Sequence, residues 1–255
     1  MRFFSILVAL LISPSLGAQT PTGVPPALLE DLATAHRILA AEGVLDYLGH
    51  VSVRHPSNPN RYLMPRSLAP ALVTAGDIME FDLDSTPLDA RGRATFSERF
   101  IHGEIYKARR DVNAVVHSHS PAVVPFSISQ VALRPVHQAG AFLWVGVPVF
   151  ETRGLDPASA SLLVRNPMLG KALAATLADK PVALMRGHGN VVVGADVVIA
   201  VARAIGTEAN ARMQSAAIQL GGPVTYFSAE EGAAMENPAA YARGWELWSG
   251  RLRSK

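Results

Sequence analysis

The sequence contains no cysteine among its 255 residues. This absence excludes a thiol nucleophile, a zinc knuckle and an iron–sulfur cluster, so any metal site must be built from histidine and carboxylate side chains. Charged residues are also scarce, at 17%, and 23 lysines and arginines nearly balance 21 aspartates and glutamates. A nucleic-acid-binding surface would need basic residues clustered on one face. We therefore expect a small-molecule substrate and no nucleic-acid partner.

Long apolar runs are confined to the N-terminus. Arg2 precedes an apolar stretch, residues 3–12, and small residues follow, including Gly17 and Ala18. This pattern is typical of a secretory signal peptide and is too short to span a bilayer. We predict a signal peptide over residues 1–18, cleaved near Gly17 or Ala18. The mature protein would then be exported, periplasmic or secreted, with no membrane span. The alternative is a buried N-terminal helix.

Helical and strand patterns alternate over residues 28–255, after a proline-rich, flexible lead-in at residues 19–27. Apolar spacing predicts helices over residues 28–42, 97–111, 161–179, 196–220 and 241–255. Runs rich in β-branched residues predict strands at residues 51–54, 62–65, 78–84, 114–119 and 146–151, and on both sides of residues 187–189. No repeat or further linker interrupts the pattern. The sequence therefore predicts a single α/β domain in which helices cover a sheet.

Two histidines end the apolar run "AVVHSHSP", residues 114–121. Alternate side chains of a strand point to the same face, so His117 and His119 would lie about 7 Å apart at their Cβ atoms and can reach one metal ion. The alternative is an ordinary polar end to a strand. Ser120-Pro121 is a favourable helix start, with serine as the cap and proline in the first turn.

Two further motifs bear on the same choice. Glycines on both sides of His188 allow a close backbone approach, although a turn with an incidental histidine would look the same. Ser97-Glu98 begins a predicted helix, where a carboxylate is favoured by the helix dipole in any case. His102 lies one turn later, either behind a site or as a satisfied core histidine. Three histidines and one carboxylate together would form a site for zinc, the preferred ion, or manganese.

The chain resembles the class II aldolase/adducin family from about Ala27 to Leu220. The similarity is carried by "SERFIHGEIYKARRDVNAVVHSHSPAVVPFS", by "ALMRGHGNVVVGADVVIAVARA", and by "GHVSVR" in place of the family's usual Gly-Asn-x-Ser. The resemblance implies a three-layer α/β/α domain with a central, mainly antiparallel sheet, commonly a homotetramer with sites near the subunit interfaces. It also implies that His117, His119 and His188 bind the metal and that Glu98 is a displaceable ligand and the acid/base.

Departures from the family's phosphosugar aldolases affect the expected substrate. Positions that hold a phosphate in those enzymes are His50, Arg66-Ser67 and Phe96-Ser97 here, and Gln138 stands where they carry a catalytic tyrosine. The chain is more similar to the branch that contains hydroxymethylpyridine-dicarboxylate decarboxylase. Arg66 would suit a substrate carboxylate, unless it is a solvated loop residue. The predicted substrate-binding residues are His50, Ser52, Arg66, Ser67, Ser97 and Gln138, with His137 beside them.

The predicted activity is that of a divalent-metal-dependent carbon–carbon lyase, of the aldolase or decarboxylase type. A bound metal would stabilise an enolate formed from a small, non-phosphorylated carboxylate or hydroxy-carbonyl compound. A dehydratase or epimerase using the same metal site is the alternative enzyme, and an adducin-like scaffold is the non-catalytic alternative. A zinc hydrolase would want a His-Glu-x-x-His helix, which is absent. Tyr241, Trp245 and Trp248 share one face of the C-terminal helix, which either docks on its own domain or contributes a subunit contact or site cover.

Overall fold

A seven-stranded sheet forms the centre of the computed structural model, which describes residue 21 and residues 23–155 and 161–254. The strands are β1 His50–Arg54, β2 Arg61–Pro65, β3 Ile78–Asp82, β4 Ala114–Ser118, β5 Val149–Phe150, β6 Val182–Met185 and β7 Gly189–Gly194. Their order across the sheet is β3-β2-β1-β4-β7-β6-β5, and only the β5–β6 pair is parallel. The mainly antiparallel sheet expected from the sequence is confirmed.

Helices cover both faces of this sheet. They are α1 Pro26–Ala41, α2 Phe100–Ala108, α3 Val124–Ile128, α4 Pro167–Leu177, α5 Val197–Gln219, α6 Ala229–Met235 and α7 Ala239–Arg253. Side chains of α1 and α5 form one buried cluster with Val116, whereas those of α2 and α4 form a second cluster with Val115. Neighbouring residues of β4 enter opposite clusters because side chains alternate across a sheet. The predicted α/β/α fold is therefore confirmed.

Three predicted helices begin later than the sequence pattern suggests. The pattern over residues 97–111 becomes helical only at Phe100, so Ser97-Glu98 lies in the turn that precedes α2. The pattern over residues 161–179 becomes helical only at Pro167, where the Asn166 side chain accepts a hydrogen bond from the Leu169 amide. Proline in the first turn and an asparagine cap together define a helix start, so residues 161–166 stay outside α4. After Ser120-Pro121 the chain forms a turn, and α3 starts at Val124.

A buried histidine joins α1 to the sheet. The Nδ1 atom of His36 donates to the Leu32 carbonyl at 2.8 Å, and its Nε2 accepts the Val51 amide of β1 at 2.9 Å. Burial lowers the pKa of His36 to about 4, because a charged imidazole would lose its hydration there. His36 is therefore a neutral residue of α1 that accepts a hydrogen bond from the Val51 amide, near the start of β1.

The C-terminal helix α7 packs on its own chain. Trp245, Trp248 and Leu252 contact the cluster that contains α1 and α5, and Arg251 forms an ion pair with Glu42 at 3.2 Å. The interpretation as a docked helix is supported, and a subunit contact remains a prediction. Among the described residues, no helix combines the length and apolarity needed to cross a bilayer. The predicted signal peptide, residues 1–18, and residues 19, 20 and 22 of the lead-in lie outside the described residues.

Candidate metal centre

Glu98, His117, His119 and His188 meet at one end of the sheet. Each offers one ligand atom, and these four atoms all lie within 4.8 Å of one another. His117 is fully buried, Glu98 is 7% exposed, and the other two histidines are partly exposed. The structure thus brings together the four side chains that the sequence motifs single out, and their nitrogen and oxygen donors suit a zinc or manganese ion.

Strand pairing explains the meeting of residues that are far apart in sequence. His117 is the penultimate residue of β4 and pairs with Val191 of β7, while His119 follows directly after β4. The turn between β6 and β7 carries His188, and Gly189 lets the two strands approach closely here. A Cβ atom on Gly189 would collide with the Ser118 carbonyl oxygen. The small residue after His188 is therefore required by the approach of the two ligand-bearing segments.

Each histidine of the cluster uses Nδ1 to bind an oxygen that lies outside the cluster. The partners are the Asn190 carbonyl for His117 at 3.2 Å, an Asp46 carboxylate oxygen for His119 at 2.9 Å, and the Leu162 carbonyl for His188 at 3.0 Å. A carbonyl or carboxylate oxygen can only accept, so each Nδ1 carries the proton. The three Nε2 atoms then present lone pairs towards the centre of the cluster. In metal sites, outer hydrogen bonds of this kind fix the tautomer of the ligand histidines in the same way.

The inward-facing nitrogens lack the partners that protein atoms would normally supply. The Nε2 of His117 is buried without a hydrogen-bond partner, and the Nε2 atoms of His119 and His188 lie 3.1 Å apart. Buried polar atoms are rarely left unpaired, and two lone pairs at that distance repel each other. A cation, or a shared proton, satisfies both conditions. The donor set therefore fits a divalent metal ion.

Glu98 faces the same point from the start of α2. Its Oε2 lies 3.6 Å from Nε2 of His117 and 3.4 Å from Nε2 of His188, and its Oε1 accepts the Val164 amide at 2.8 Å. Burial would raise the pKa of Glu98, but His117 and His188, when they carry a proton on Nε2, outweigh burial and lower it. Burial also lowers the pKa of His117, whereas Glu98 raises that of the less buried His188. Glu98 is therefore a carboxylate in this arrangement.

A cleft of about 670 Å³ opens from the cluster. Its described lining is largely apolar and includes no lysine or arginine. The residues are Tyr47, Leu48, His50, Ser67, Leu68, Ala69, Phe96, Ser97, Glu98, His119, Ser161, Leu162, Leu163, Gly187 and His188. Apolar walls with a few convergent polar groups are typical of a small-molecule site.

Three of the six predicted substrate-binding residues, His50, Ser67 and Ser97, line this cleft. His50 packs against Phe96, with ring centroids 4.5 Å apart. Ser52 lies behind His50, fully buried, and its Oγ is 2.6 Å from Nδ1 of His102. Ser52 and His102 therefore support the cleft wall and do not form its surface.

Arg66 and Gln138 lie outside the cleft lining. The Arg66 Nε donates to Asp77 at 2.7 Å, because the turn that precedes β3 returns Asp77 to this position. Gln138, with His137, borders a different groove between α5 and α7. The side chain of Asn210 on α5 bonds Val136 and Arg134 and holds this segment away from the cluster. The structure of the chain does not bring either residue to the candidate site.

Sequence reasoning missed the residues that orient the histidines. The Asp46 carboxylate accepts hydrogen bonds from the amides of Leu48 and Gly49 as well as from His119. Burial would raise the pKa of Asp46, but these hydrogen bonds outweigh burial and lower it. Leu162 has a φ of 61°, an uncommon value for a side chain of its size, in the turn that gives its carbonyl to His188. An aspartate with a glycine three positions later, Asp46 and Gly49, is a local turn signal, but nothing in the sequence connects it to a histidine 73 positions later.

These features define a three-layer α/β protein with a histidine–glutamate cluster at the end of its sheet. Residues 30–215 match the family described as "Class II Aldolase and Adducin N-terminal domain", and the chain belongs to this family. The predicted family is confirmed. Family membership alone does not separate an enzyme from an adducin-like scaffold, so the named relatives bear on that choice.

The relatives include decarboxylases. The chain is 37% identical over 236 residues to the decarboxylase tropJ of Talaromyces stipitatus, covering 83% of this chain and 88% of that one. It is 34% identical over 200 residues to the 3,4-dihydroxyphthalate decarboxylase of Arthrobacter keyseri, covering 76% and 79%. The structure of an aldolase II superfamily protein from Pseudomonas syringae superposes with a TM-score of 0.76 at 25% identity, covering 92% and 95%. These relatives support lyase activity.

The predicted localisation is wrong. Export was inferred from residues 1–18, which lie outside the described residues, and the relatives are enzymes named as decarboxylases and aldolases, with no indication of export. An N-terminal hydrophobic stretch resembles a signal peptide by composition alone.

Proposed function

We propose that this protein is a divalent-metal-dependent decarboxylase of a non-phosphorylated, hydroxylated aromatic carboxylate. The observation that carries the proposal is the set of three Nε2 atoms and one carboxylate within 4.8 Å at the base of a largely apolar cleft. The similarity to a 3,4-dihydroxyphthalate decarboxylase supports this substrate class. Glu98, His117, His119 and His188 are the proposed ligand and catalytic residues.

The three histidines would hold the metal through Nε2, and Glu98 would lie beside it. A divalent cation bound there supplies a Lewis acid that stabilises negative charge on a substrate oxygen as the carbon–carbon bond breaks. The cleft walls would orient the ring, because Phe96 and Leu162 provide apolar surfaces and Ser67 offers a hydroxyl to a polar substituent. These walls also exclude water from the carbon that must be protonated.

Glu98 would act as both the base and the acid of the reaction, so no second titrating group is required. As a carboxylate it accepts the proton of the substrate hydroxyl on Oε2, while Oε1 stays bonded to the Val164 amide. Glu98 then gives the same proton to the ring carbon that carries the carboxylate, so that this carbon becomes tetrahedral and the deprotonated oxygen becomes a ketone. Carbon dioxide leaves, the electron pair of the broken bond returns through the ring to that oxygen, and the product is released as a phenolate with Glu98 again a carboxylate. General acid–base transfer of this kind contributes about 10²–10⁴-fold to a rate.

The cleft favours decarboxylation over cleavage of a sugar phosphate. A phosphate dianion is usually held by arginine, lysine or several amides, and the described lining contains no basic side chain other than histidine. A dehydratase or epimerase would use the same cluster, and no contact in the described residues favours either.

Carbon dioxide release from 3,4-dihydroxyphthalate by the zinc- or manganese-loaded protein tests the proposal, with L-fuculose 1-phosphate as the comparison substrate. We expect decarboxylation of the aromatic acid and no cleavage of the sugar phosphate. His117→Ala and His188→Ala should each lose bound metal, measured by elemental analysis, and lose activity with it. Full metal content in both variants would refute the site, whereas metal binding with aldol cleavage only would refute the reaction.

A further inference from the structure

Four polar side chains form a continuous hydrogen-bonded chain from the cleft into the core. Nδ1 of His50 lies 2.7 Å from Nε2 of His102, whose Nδ1 lies 2.6 Å from Oγ of Ser52, and that oxygen lies 2.8 Å from the hydroxyl of Tyr106. His50 is 2% exposed, and the other three side chains are fully buried. This series of four hydrogen-bonded side chains, named here the Tyr106 relay, includes none of the proposed metal ligands.

The inner end of the Tyr106 relay determines its direction. A tyrosine hydroxyl carries one proton, and a buried hydroxyl must donate it to an acceptor. Among the described residues, the only side-chain partner of the Tyr106 hydroxyl is Ser52, and a hydrogen bond from the backbone of Val115 acts on the phenol oxygen as acceptor. Tyr106 therefore donates to Ser52, and Ser52 in turn donates to Nδ1 of His102.

The direction fixes both imidazole tautomers. The imidazoles of His50 and His102 are both neutral, because the relay contains no carboxylate and burial disfavours the charged form. His102 accepts at Nδ1, so its proton is on Nε2 and is donated to Nδ1 of His50. His50 then also carries its proton on Nε2, which is the one ring nitrogen outside the relay. The reverse direction would leave the Tyr106 proton without an acceptor in the described structure.

We propose that Tyr106, acting through Ser52 and His102, holds His50 as an Nε2–H donor that selects an oxygen acceptor on the substrate. His50 lines the cleft beside the metal cluster, so the acceptor would be a carboxylate or ring oxygen of the bound acid. This identification of the ligand rests on the proposed function, whereas the direction of the relay rests on the structure alone. Tyr106, Ser52 and His102 are positioning residues, because they reach the ligand only through His50.

The proposal separates the histidines around the site into two groups. His117, His119 and His188 carry their protons on Nδ1, as their oxygen partners require, whereas His50 and His102 carry theirs on Nε2. Nitrogen chemical shifts and two-bond couplings of ¹⁵N-histidine-labelled protein distinguish these tautomers directly. The zinc-loaded protein, without substrate, is therefore sufficient to test the direction, independently of any reaction.

Tyr106→Phe removes the hydroxyl that sets the direction, and Tyr62→Phe is its matched control. Tyr62 is equally buried, its ring centroid is 5.6 Å from that of Tyr106, and its hydroxyl donates to the Arg99 carbonyl instead. We expect a single Nε2–H form of His50 in the wild type and in Tyr62→Phe. In Tyr106→Phe we expect a mixture with the Nδ1–H form. Ser52→Ala, which breaks the next link, should give the same mixture.

Kinetics then separate donor selection from a structural effect. If the competent tautomer falls to about one third of the molecules, apparent substrate affinity falls about threefold. The KM for 3,4-dihydroxyphthalate should rise by that factor in Tyr106→Phe, with zinc content and kcat near the wild-type values and no change in Tyr62→Phe. An Nδ1–H form of His50 in the wild type would overturn the proposal whatever the variants do. Correct tautomers without decarboxylation would instead refute only the proposed function.

Discussion

The Nδ1 atom of His119 lies 2.9 Å from Oδ2 of Asp46, and this bond points away from the histidine–glutamate cluster. Asp46 is itself fixed by the amides of Leu48 and Gly49, so the carboxylate position does not depend on the histidine. The pair sets the ring orientation and makes the opposite nitrogen more basic. Asp46 thus tunes a proposed metal ligand without reaching the cluster itself.

Replacing Asp46 tests this relationship. Asp46→Asn keeps the shape of the side chain but removes its charge, and we expect metal affinity to fall about 10–100-fold. Competition with a coloured chelator measures the change. Asp196→Asn is the matched control, because Asp196 also accepts a backbone amide, that of Ile199, at the start of a helix far from the cluster. Equal affinities for both variants would contradict the role of Asp46.

Replacing Glu98 separates proton transfer from metal binding. Glu98→Gln retains an oxygen for the Val164 amide and three histidines for the metal, but it cannot carry the transferred proton. We expect kcat for decarboxylation to fall about 10²–10⁴-fold while metal content stays near the wild-type value. Glu104→Gln is the control, since Glu104 is equally buried on α2 and pairs with Lys107. Wild-type turnover by Glu98→Gln would contradict its assignment.

Gly189→Ala should disturb both stability and metal binding. The added methyl group would overlap the Ser118 carbonyl, so the end of β4, which carries His117, must separate from the start of β7, which directly follows His188. We expect a loss of about 1–3 kcal/mol in the free energy of unfolding, measured with urea, and weaker metal binding. Gly250→Ala, in α7, places only an Arg253 side-chain atom within 4 Å of the new methyl group and should not destabilise the protein. An unchanged free energy of unfolding for Gly189→Ala would contradict this prediction, because it would mean that the two strands can move apart without cost.

Acid should destabilise the fold through His36. The unfolded chain binds a proton near pH 6.5, whereas the native imidazole does so only near pH 4, because burial lowers the pKa of His36. As pH falls through 6.5 the unfolded chain gains protons first, so stability decreases and the loss is complete near pH 4. The full contribution is about 3 kcal/mol.

His36→Gln isolates this contribution from that of the other buried histidines. Urea unfolding of both proteins between pH 7 and pH 4 gives the difference in stability, which should shift in favour of the variant as the pH falls. Because glutamine does not titrate, a difference that is constant with pH would mean that the pKa of His36 is not lowered in the native protein.

The sequence alone was sufficient for the elements that depend on local patterns. A period of two placed His117 and His119 on one face, and glycines marked the close approach at His188, because both effects act over one or two residues. The fold class followed from alternating helix and strand patterns and from the family motifs. Tertiary structure confirmed the sheet and placed the four site residues within reach of one ion.

Only the tertiary structure decided which other groups surround that ion. Arg66 was expected at the substrate, but Asp77, 11 positions away, pairs with it. Gln138 was expected beside it, but side chains of α5 hold its segment in another groove. Asp46, the Leu162 carbonyl and the Tyr106 relay gave no sequence signal, since each depends on a contact between segments distant in the chain. Residue type and short spacing limit the chemistry a chain can perform, but hydrogen-bond partners are selected by the packing of the whole fold.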